Sequence, residues 1–158
     1  MVQYEPIGVI KTPYKMKKGT PIQPPGARDV KGTVELNPEY TDGLKDLDGF
    51  THIILVYHFH RTDGHSLHVQ PYMDQTKRGV FATRIPGRPN PIGISVVRLD
   101  EIQGNTLHVR DVDILDGTPL LDIKPYVPEF DAAPDAEIGW LTNRVQRLQK
   151  TRSDGRTK

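Results

Sequence analysis

Thr51-His-Ile-Ile-Leu-Val-Tyr-His-Phe59 is the stretch on which the fold class turns. Read with the period of two of an extended chain, it places Ile53, Leu55 and Tyr57 on one face and Ile54, Val56 and His58 on the other. Both faces are apolar at mid-strand, which suits a central strand covered on both sides. In a small all-β chain, one face then looks into a barrel and the other needs a helix, a loop or a partner subunit as cover. A dimer interface is one such cover.

Working outward, residues rich in Val, Ile, Thr, Tyr and Phe cluster at 4–11, 32–36, 80–84, 92–102 and 106–115, and each cluster reads as a strand. Gly and Pro punctuate the gaps, and Gln103-Gly104-Asn105 reads as a hairpin turn. The expected architecture is a mainly β, small antiparallel barrel. Helical periodicity is clear in one place only, where Ile138, Leu141, Val145 and Leu148 recur at three and four. Residues 1–137 are therefore expected to form the barrel domain and 138–150 a basic amphipathic helix packed on it. The tail 151–158 is expected to be disordered. A helix or turn near 39–47 is only weakly signalled.

The 158 residues suit one core, and no segment approaches the roughly 18 unbroken apolar residues of a membrane span. The N-terminus lacks the succession of regions that marks a signal peptide, so a cytoplasmic location is expected. Zero cysteines exclude disulfides, thiolate nucleophiles and cysteine-bound zinc or iron-sulfur clusters. Net charge is only +1, but after Glu137 six basic residues, Arg144, Arg147, Lys150, Arg152, Arg156 and Lys158, face the single acid Asp154. Such a patch attracts phosphate, although terminal charge runs are as often plain solvated tails.

Three constellations bear on chemistry. In Arg84-Ile-Pro-Gly-Arg-Pro-Asn-Pro-Ile-Gly93, prolines fix their own φ and hold Arg88 and Asn90 extended, so two arginines and an amide are presented with little entropy left to lose. In Asp113-Ile-Leu-Asp-Gly-Thr-Pro-Leu-Leu-Asp-Ile-Lys-Pro-Tyr126, a tight turn with exposed amides is expected at Asp116, Gly117, Thr118 and Pro119. Carboxylates at 113, 116 and 122 can accept from ribose hydroxyls or amines. Five of the six histidines, His52, His58, His60, His65 and His68, fall within 17 residues. They match no familiar metal spacing and no Glu accompanies them, so strand-end packing or ligand contact is the preferred reading and no metal is assigned. No Gly-x-Gly-x-x-Gly follows a strand, so a nucleotide-like ligand needs a cradle other than a Rossmann fold.

Taken together, Gly79-Val-Phe-Ala-Thr-Arg-Ile-Pro-Gly-Arg-Pro-Asn-Pro-Ile-Gly-Ile-Ser95 and Leu115-Asp-Gly-Thr-Pro-Leu-Leu-Asp-Ile-Lys-Pro-Tyr126 resemble the TsaA-like (TrmO) family. Ile7-Gly8, Pro21-Ile-Gln-Pro24, Gly32-Thr-Val-Glu-Leu36 and Tyr57-His-Phe-His60 extend the likeness over about the first 130 residues. The resemblance implies a homodimeric β-barrel enzyme that uses S-adenosyl-L-methionine to methylate the exocyclic N6 of threonylcarbamoyl-adenosine beside the tRNA anticodon. It places cofactor contacts at Gln23, Pro24, Pro25, His60, Arg61, Arg84, Ile94, Asp116, Gly117, Thr118 and Pro119. Ile85 and Gly87 depart from residues common in the family, and the chain reads as a short form without the extra C-terminal domain of many bacterial members.

The target amine is a weak nucleophile, because its lone pair is delocalised into the purine, so acceptors aimed at its hydrogens are needed. Asn90, the Pro91 carbonyl and Asp122 are the candidates for that role, with Asn90 and Asp122 assigned as catalytic. Arg88 is the candidate clamp for a substrate carboxylate, and Lys124, Tyr126, Arg144 and Arg147 complete the expected tRNA contacts. A non-catalytic RNA-binding barrel and a metal-dependent hydrolase are the competing readings, separated by cofactor binding and by metal content.

Overall fold

Alternation along the strands builds a closed barrel. The structure, a computed structural model, describes residues 1–15, 27–71 and 74–144. Six antiparallel strands close in the order β1-β2-β7-β6-β3-β8: β1 Gly8–Lys11, β2 Lys31–Leu36, β3 His52–His58, β6 Ile92–Gln103, β7 Thr106–Arg110 and β8 Thr118–Pro125. A separate two-stranded ribbon joins β4 His68–Val69 to β5 Arg78–Gly79. Ile53, Leu55 and Tyr57 point inward as expected, where they meet Ile10, Val34, Val97, Leu107, Val109 and Leu120. Truncating a fully enclosed side chain such as Leu55 to alanine leaves a cavity worth about 2–5 kcal/mol. Closure also removes exposed sheet edges, the usual liability of a small β protein.

On β6, Gly93, Ser95, Val97 and Leu99 face in while Ile92, Ile94, Arg98 and Asp100 face out. This one strand pairs with β3 through its first half and with β7 through its second, with a register shift between Leu99 and Glu101. The expected turn at 103–105 is present, with Gly104 in the left-handed region at φ 62°.

Several expected elements differ. Residues 80–84 do not form a strand. Val80–Ala82 is a 3-10 turn, because Val80 is buried and its carbonyl accepts both the amide and the hydroxyl of Thr83 at 3.1 and 2.8 Å. The strand expected over 106–115 stops at Arg110, because Asp111 takes φ 68° and its amide turns to the Val30 carbonyl at 2.9 Å. The weakly signalled segment near 39–47 is two 3-10 turns, Pro38–Leu44 and Leu47–Gly49. Past a one-turn helix, α1 Pro128–Asp131, the helix expected over 138–150 opens as a 3-10 turn, Gly139–Leu141. Asn143 at φ 70° interrupts helical geometry there, and 145–150 and the tail 151–158 lie outside the described residues.

Strand direction decides what meets at each end. The ends of β1, β3 and β7 and the starts of β2, β6 and β8 share one rim of the barrel. Both chemically suggestive segments enter or leave the sheet at this rim.

Candidate active site

The proline loop is bound to the rim by its own backbone. The Pro91 carbonyl accepts from the Phe59 amide at 2.8 Å, and the Asn90 carbonyl accepts from the Ile92 amide at 2.7 Å. Arg88 Nη1 donates to the carbonyls of Thr83 and Ile85 at 2.8 and 3.2 Å, bracing the loop from within. The Asn90 side chain is left exposed on this stiff support. The Pro91 carbonyl, expected to face a substrate amine, already accepts the Phe59 amide, which leaves it one lone pair for a second donor.

Opposite the loop, the connection from β7 to β8 crosses the rim. Val112 and Ile114 bury their side chains in the barrel, while Asp113 between them accepts from Ser95 Oγ at 2.7 Å. Ser95 is itself 2.7 Å from the Tyr57 hydroxyl. Desolvation pushes the Asp113 carboxyl up to about 6, against the opposing pull of the Ser95 hydrogen bond and the Arg84 charge. Desolvation likewise drives the Tyr57 phenol far above its ordinary value, helped by the nearby Asp113 carboxylate. Arg84, exposed at the start of the loop, acts electrostatically on both groups.

The turn at 116–119 is tight, with Gly117 at φ 82°, but its amides are not exposed. Asp116 N donates to the Tyr14 carbonyl at 2.7 Å and Gly117 N to the Ile10 carbonyl at 2.8 Å. The Asp116 carboxylate takes the Lys15 ammonium at 2.7 Å and the Thr12 amide at 2.9 Å, and these partners hold it below the usual carboxylate range. Asp116 thus ties the segment 12–15 to the rim. Gln23, Pro24 and Pro25 lie outside the described residues. Thr118 is buried, donates to the Leu115 carbonyl at 2.6 Å and stands 3.4 Å from His60 Nδ1. Arg61 follows, exposed to solvent.

Other predicted residues share an outer surface rather than the rim. The register lines up Ile94, Val56 and Asp122 across β6, β3 and β8, with Val96, Ile54 and Lys124 as the next row. Pro119, opposite Val9, lies on β8 between the inward Thr118 and Leu120. Asp122 accepts from Lys124 Nζ at 2.9 Å and from the Ile123 amide at 2.9 Å. At about 3.3 Å per strand residue, Lys124 sits roughly 20 Å along β8 from Thr118. Tyr126 lies beyond it, its amide bonded to the His52 carbonyl at 3.1 Å and its ring edge-on to His52 at 6.3 Å. Within one chain, Lys124 and Tyr126 do not converge with the rim residues, because β8 carries them to the other end of the barrel.

The histidines are likewise dispersed. His52 marks the far end, His58 faces outward, His60 meets Thr118 and His68 belongs to β4. Among the described residues, no three His, Asp or Glu side chains gather as a metal site would require.

The C-terminal segment returns to the rim. Trp140 Nε1 donates to the Ala82 carbonyl at 2.8 Å, and Arg78, paired with Asp74 at 2.6 Å, lies 5.3 Å from the centre of the Trp140 ring. Arg144 bonds back to the Trp140 carbonyl, and Arg147 lies outside the described residues. Trp140 thus ties the segment that carries Arg144 to Ala82, two residues before Arg84 in the chain.

Sequence reasoning did not assign Ser95 and Tyr57 to the site and read Asp113 as one of three carboxylates able to accept from ribose hydroxyls or amines, without a place among the site residues. Their signal is weak in sequence, because the bonds that join them span 38 and 18 residues. A serine at an inward position of an otherwise apolar strand was the available clue.

Fold and rim together define a small closed β-barrel with polar groups gathered at one end, distinct from dinucleotide-binding α/β proteins. The chain belongs to the tRNA-methyltransferase O N-terminal domain family, which residues 9–132 match. It is 62% identical over 156 residues to a probable S-adenosyl-L-methionine-binding protein of Pyrococcus abyssi, covering 99% of this chain and 85% of that one. Against the tRNA (adenine(37)-N6)-methyltransferase of Escherichia coli it is 38% identical, covering 87% of this chain and 63% of that enzyme. The crystal structure of TrmO from Pseudomonas aeruginosa superposes with a TM-score of 0.75 at 39% identity, over 89% of this chain and 62% of that one. The chain thus spans less than two thirds of the length of these two longer relatives.

Proposed function

We propose that this chain is an S-adenosyl-L-methionine-dependent tRNA methyltransferase that acts on the exocyclic N6 of adenosine beside the anticodon, with threonylcarbamoyl-adenosine as the specific target. The observation that carries this reading is the match over residues 9–132, which contains both the proline loop and the 113–126 segment. No helix among the described residues is long and apolar enough to cross a membrane. As part of the same proposal, the reaction is assigned to the cytoplasm on account of the tRNA substrate.

The donor set of the rim fits this cofactor. Arg84 offers a cation for an α-carboxylate and the carboxylates of this region offer acceptors for amine and ribose hydroxyls, while Ile94, 54% exposed on the outer face of β6, offers an apolar surface for a purine. When bound, S-adenosylmethionine supplies a methyl group on a sulfonium, open to in-line displacement by an amine. The protein's part is then to hold the acceptor in line and exclude water. Asn90 accepts a hydrogen bond from the target amine through its amide oxygen, sharpening the amine's lone pair. Asp122 supplies a second acceptor on the outer face, and Arg88, already fixed by Thr83 and Ile85, grips the threonylcarbamoyl carboxylate.

Ile92 and Ile94 are 42% and 54% exposed beside Val56, an apolar outer face that supports a homodimer. A second copy there would also bring cover to Asp122 and Lys124. For tRNA, Phe81, 76% exposed between buried Val80 and the Trp140-bound Ala82, offers a stacking surface next to Arg84 and the basic run.

Two results test the reading. S-adenosylhomocysteine is expected to raise the melting temperature, since a ligand that binds only the native state stabilises it. No shift at millimolar ligand would remove the cofactor assignment. Charge reversal of Arg144 and Arg147 together is expected to weaken tRNA binding at low salt while leaving S-adenosylhomocysteine affinity unchanged. Unaltered tRNA affinity in that folded variant would reduce the C-terminal segment to a brace for the turn at Val80–Ala82.

A further inference from the structure

Trp140, the single tryptophan of the chain, lies beyond residues 9–132 that match the family, yet it is held at three points. Its indole Nε1 donates to the Ala82 carbonyl at 2.8 Å, its ring centre lies 5.3 Å from the Arg78 guanidinium carbon, and its own carbonyl accepts from Arg144. Arg78 is a fixed base for that ring. It sits on β5 opposite Val69, and its Nε donates at 2.6 Å to the Asp74 carboxylate, which also takes the Thr76 amide at 3.1 Å. A cation held in this way against an indole face adds electrostatic attraction to contact.

Ala82 closes the 3-10 turn Val80–Ala82, whose start is pinned by the buried Val80 side chain and by the Val80 amide, bonded to the Leu67 carbonyl at 2.9 Å. The end of this turn is the root of the proline loop. Thr83 follows, and its carbonyl takes Arg88 Nη1 at 2.8 Å, as the Ile85 carbonyl does at 3.2 Å. Both bonds are internal to the loop, so they fix its shape and not its place. At the far end the place is set by the barrel, through the Phe59 amide on the Pro91 carbonyl at 2.8 Å. At the near end Phe81 and Ala82 are exposed, and the hold from another part of the chain is the indole of Trp140.

We infer that Trp140 is a positioning residue: its clasp on Ala82, backed by Arg78, sets the root of the proline loop and with it the place of Arg88 and Asn90. The bond is neutral and exposed, so it adds little to global stability, because water replaces it readily when it opens. Its effect is on where a stiff body sits. Pro86, Pro89 and Pro91 fix three φ angles of the loop, and Arg88 braces the backbone between them, so a shift at the root is carried along rather than absorbed. A displacement on the order of 1 Å costs about a hundredfold in rate where a reacting group must be held in line.

For its consequence in catalysis the inference rests on the function proposed above; for the clasp itself it does not. The experiment compares the wild type with Trp140→Phe, which keeps an aromatic ring against Arg78 and removes the donor, and with Trp140→His, which places an Nε2–H where the indole Nε1–H stands. Each full chain is read for methyl transfer to tRNA, for melting temperature and for hydrogen exchange of the Thr83 and Arg88 amides, which bond to the Val80 and Pro86 carbonyls at 3.1 and 2.8 Å. Trp140→Phe is expected to melt within about 3 °C of the wild type and to exchange both amides about tenfold faster. Its kcat is expected to fall about ten- to a hundredfold, with the KM for tRNA moving less than about threefold, since no charge is removed. Trp140→His, neutral at pH 8, is expected to recover most of the lost kcat. Wild-type kcat in Trp140→Phe overturns the inference. So does a variant that fails to fold, or one whose lost activity follows a large fall in melting temperature and is not recovered by histidine, because Trp140 is then a plain structural support. If the wild type transfers no methyl group, the proposed function fails and exchange alone decides. Faster exchange at Thr83 and Arg88 in Trp140→Phe, with the barrel amide of Leu55 unchanged, upholds the clasp, and unchanged exchange refutes it.

Discussion

Asn90→Ala is expected to bind S-adenosylhomocysteine as the wild type does and to methylate tRNA roughly thirtyfold to a thousandfold more slowly, a loss of about 2–4 kcal/mol in transition-state stabilisation. The backbone around Asn90 is held by Pro89, Pro91 and two hydrogen bonds, from Ile92 to the Asn90 carbonyl and from Phe59 to the Pro91 carbonyl. Removing the side chain therefore leaves the loop where it was. What is lost is one amide oxygen on a stiff support, whose value lies in accepting from an amine that is losing a proton. Asp122→Ala tests the second acceptor. As a catalytic group it gives a folded, ligand-competent, slow enzyme. As a strand anchor, through its bonds to Lys124 and Ile123, it gives a joint loss of melting temperature and ligand affinity. Near-normal turnover in both variants would refute both roles.

Gly93→Ala is expected to lower the melting temperature by about 4–10 °C, the response of a chain this size to an overpacking cost of about 1–3 kcal/mol. An added Cβ at this buried position would stand 2.4 Å from Tyr57 Cε2 and 2.6 Å from Phe59 Cζ. Both are ring atoms of side chains stacked edge to face at 5.6 Å, and Tyr57 is enclosed, so neither gives way cheaply. Tyr57 must swing away from Ser95, and the rim network opens with it. Melting curves with and without S-adenosylhomocysteine read both effects. A variant with unchanged stability would show that the rings at this end have room the structure does not give them.

Much of the barrel was legible in the alternation of single strands. Ile53, Leu55 and Tyr57 pointed to an inward face, and the same reasoning located β2, most of β6 and the hairpin at 103–105. It failed where partners decide. Val80, Phe81 and Ala82 look like strand residues, yet among the described residues no strand pairs with them, and Val80 is buried by turning instead. Asp111 ends β7 through a left-handed backbone and a bond to Val30, a partner 81 residues earlier that no local pattern reveals.

The site was legible as two dense segments, not as an arrangement. The proline loop was correctly read as stiff, but its carbonyl at Pro91 and its Arg88 guanidinium turned out to be partly spent on holding that stiffness. Asp116, read as a ligand acceptor, also clasps Thr12 and Lys15. Lys124 and Tyr126, expected tRNA contacts, are separated from Thr118 by the length of an extended strand. Ser95 was overlooked because its partners, Tyr57 and Asp113, come from a different strand and a different loop.

The most direct measurement of the central claim is nucleoside analysis of tRNA incubated with the full chain and S-adenosylmethionine carrying a labelled methyl group. The account predicts label on the N6 of the adenosine next to the anticodon, dependent on prior threonylcarbamoylation and lost in Asn90→Ala. Label absent from tRNA, under conditions in which the chain demonstrably binds S-adenosylhomocysteine, would contradict it.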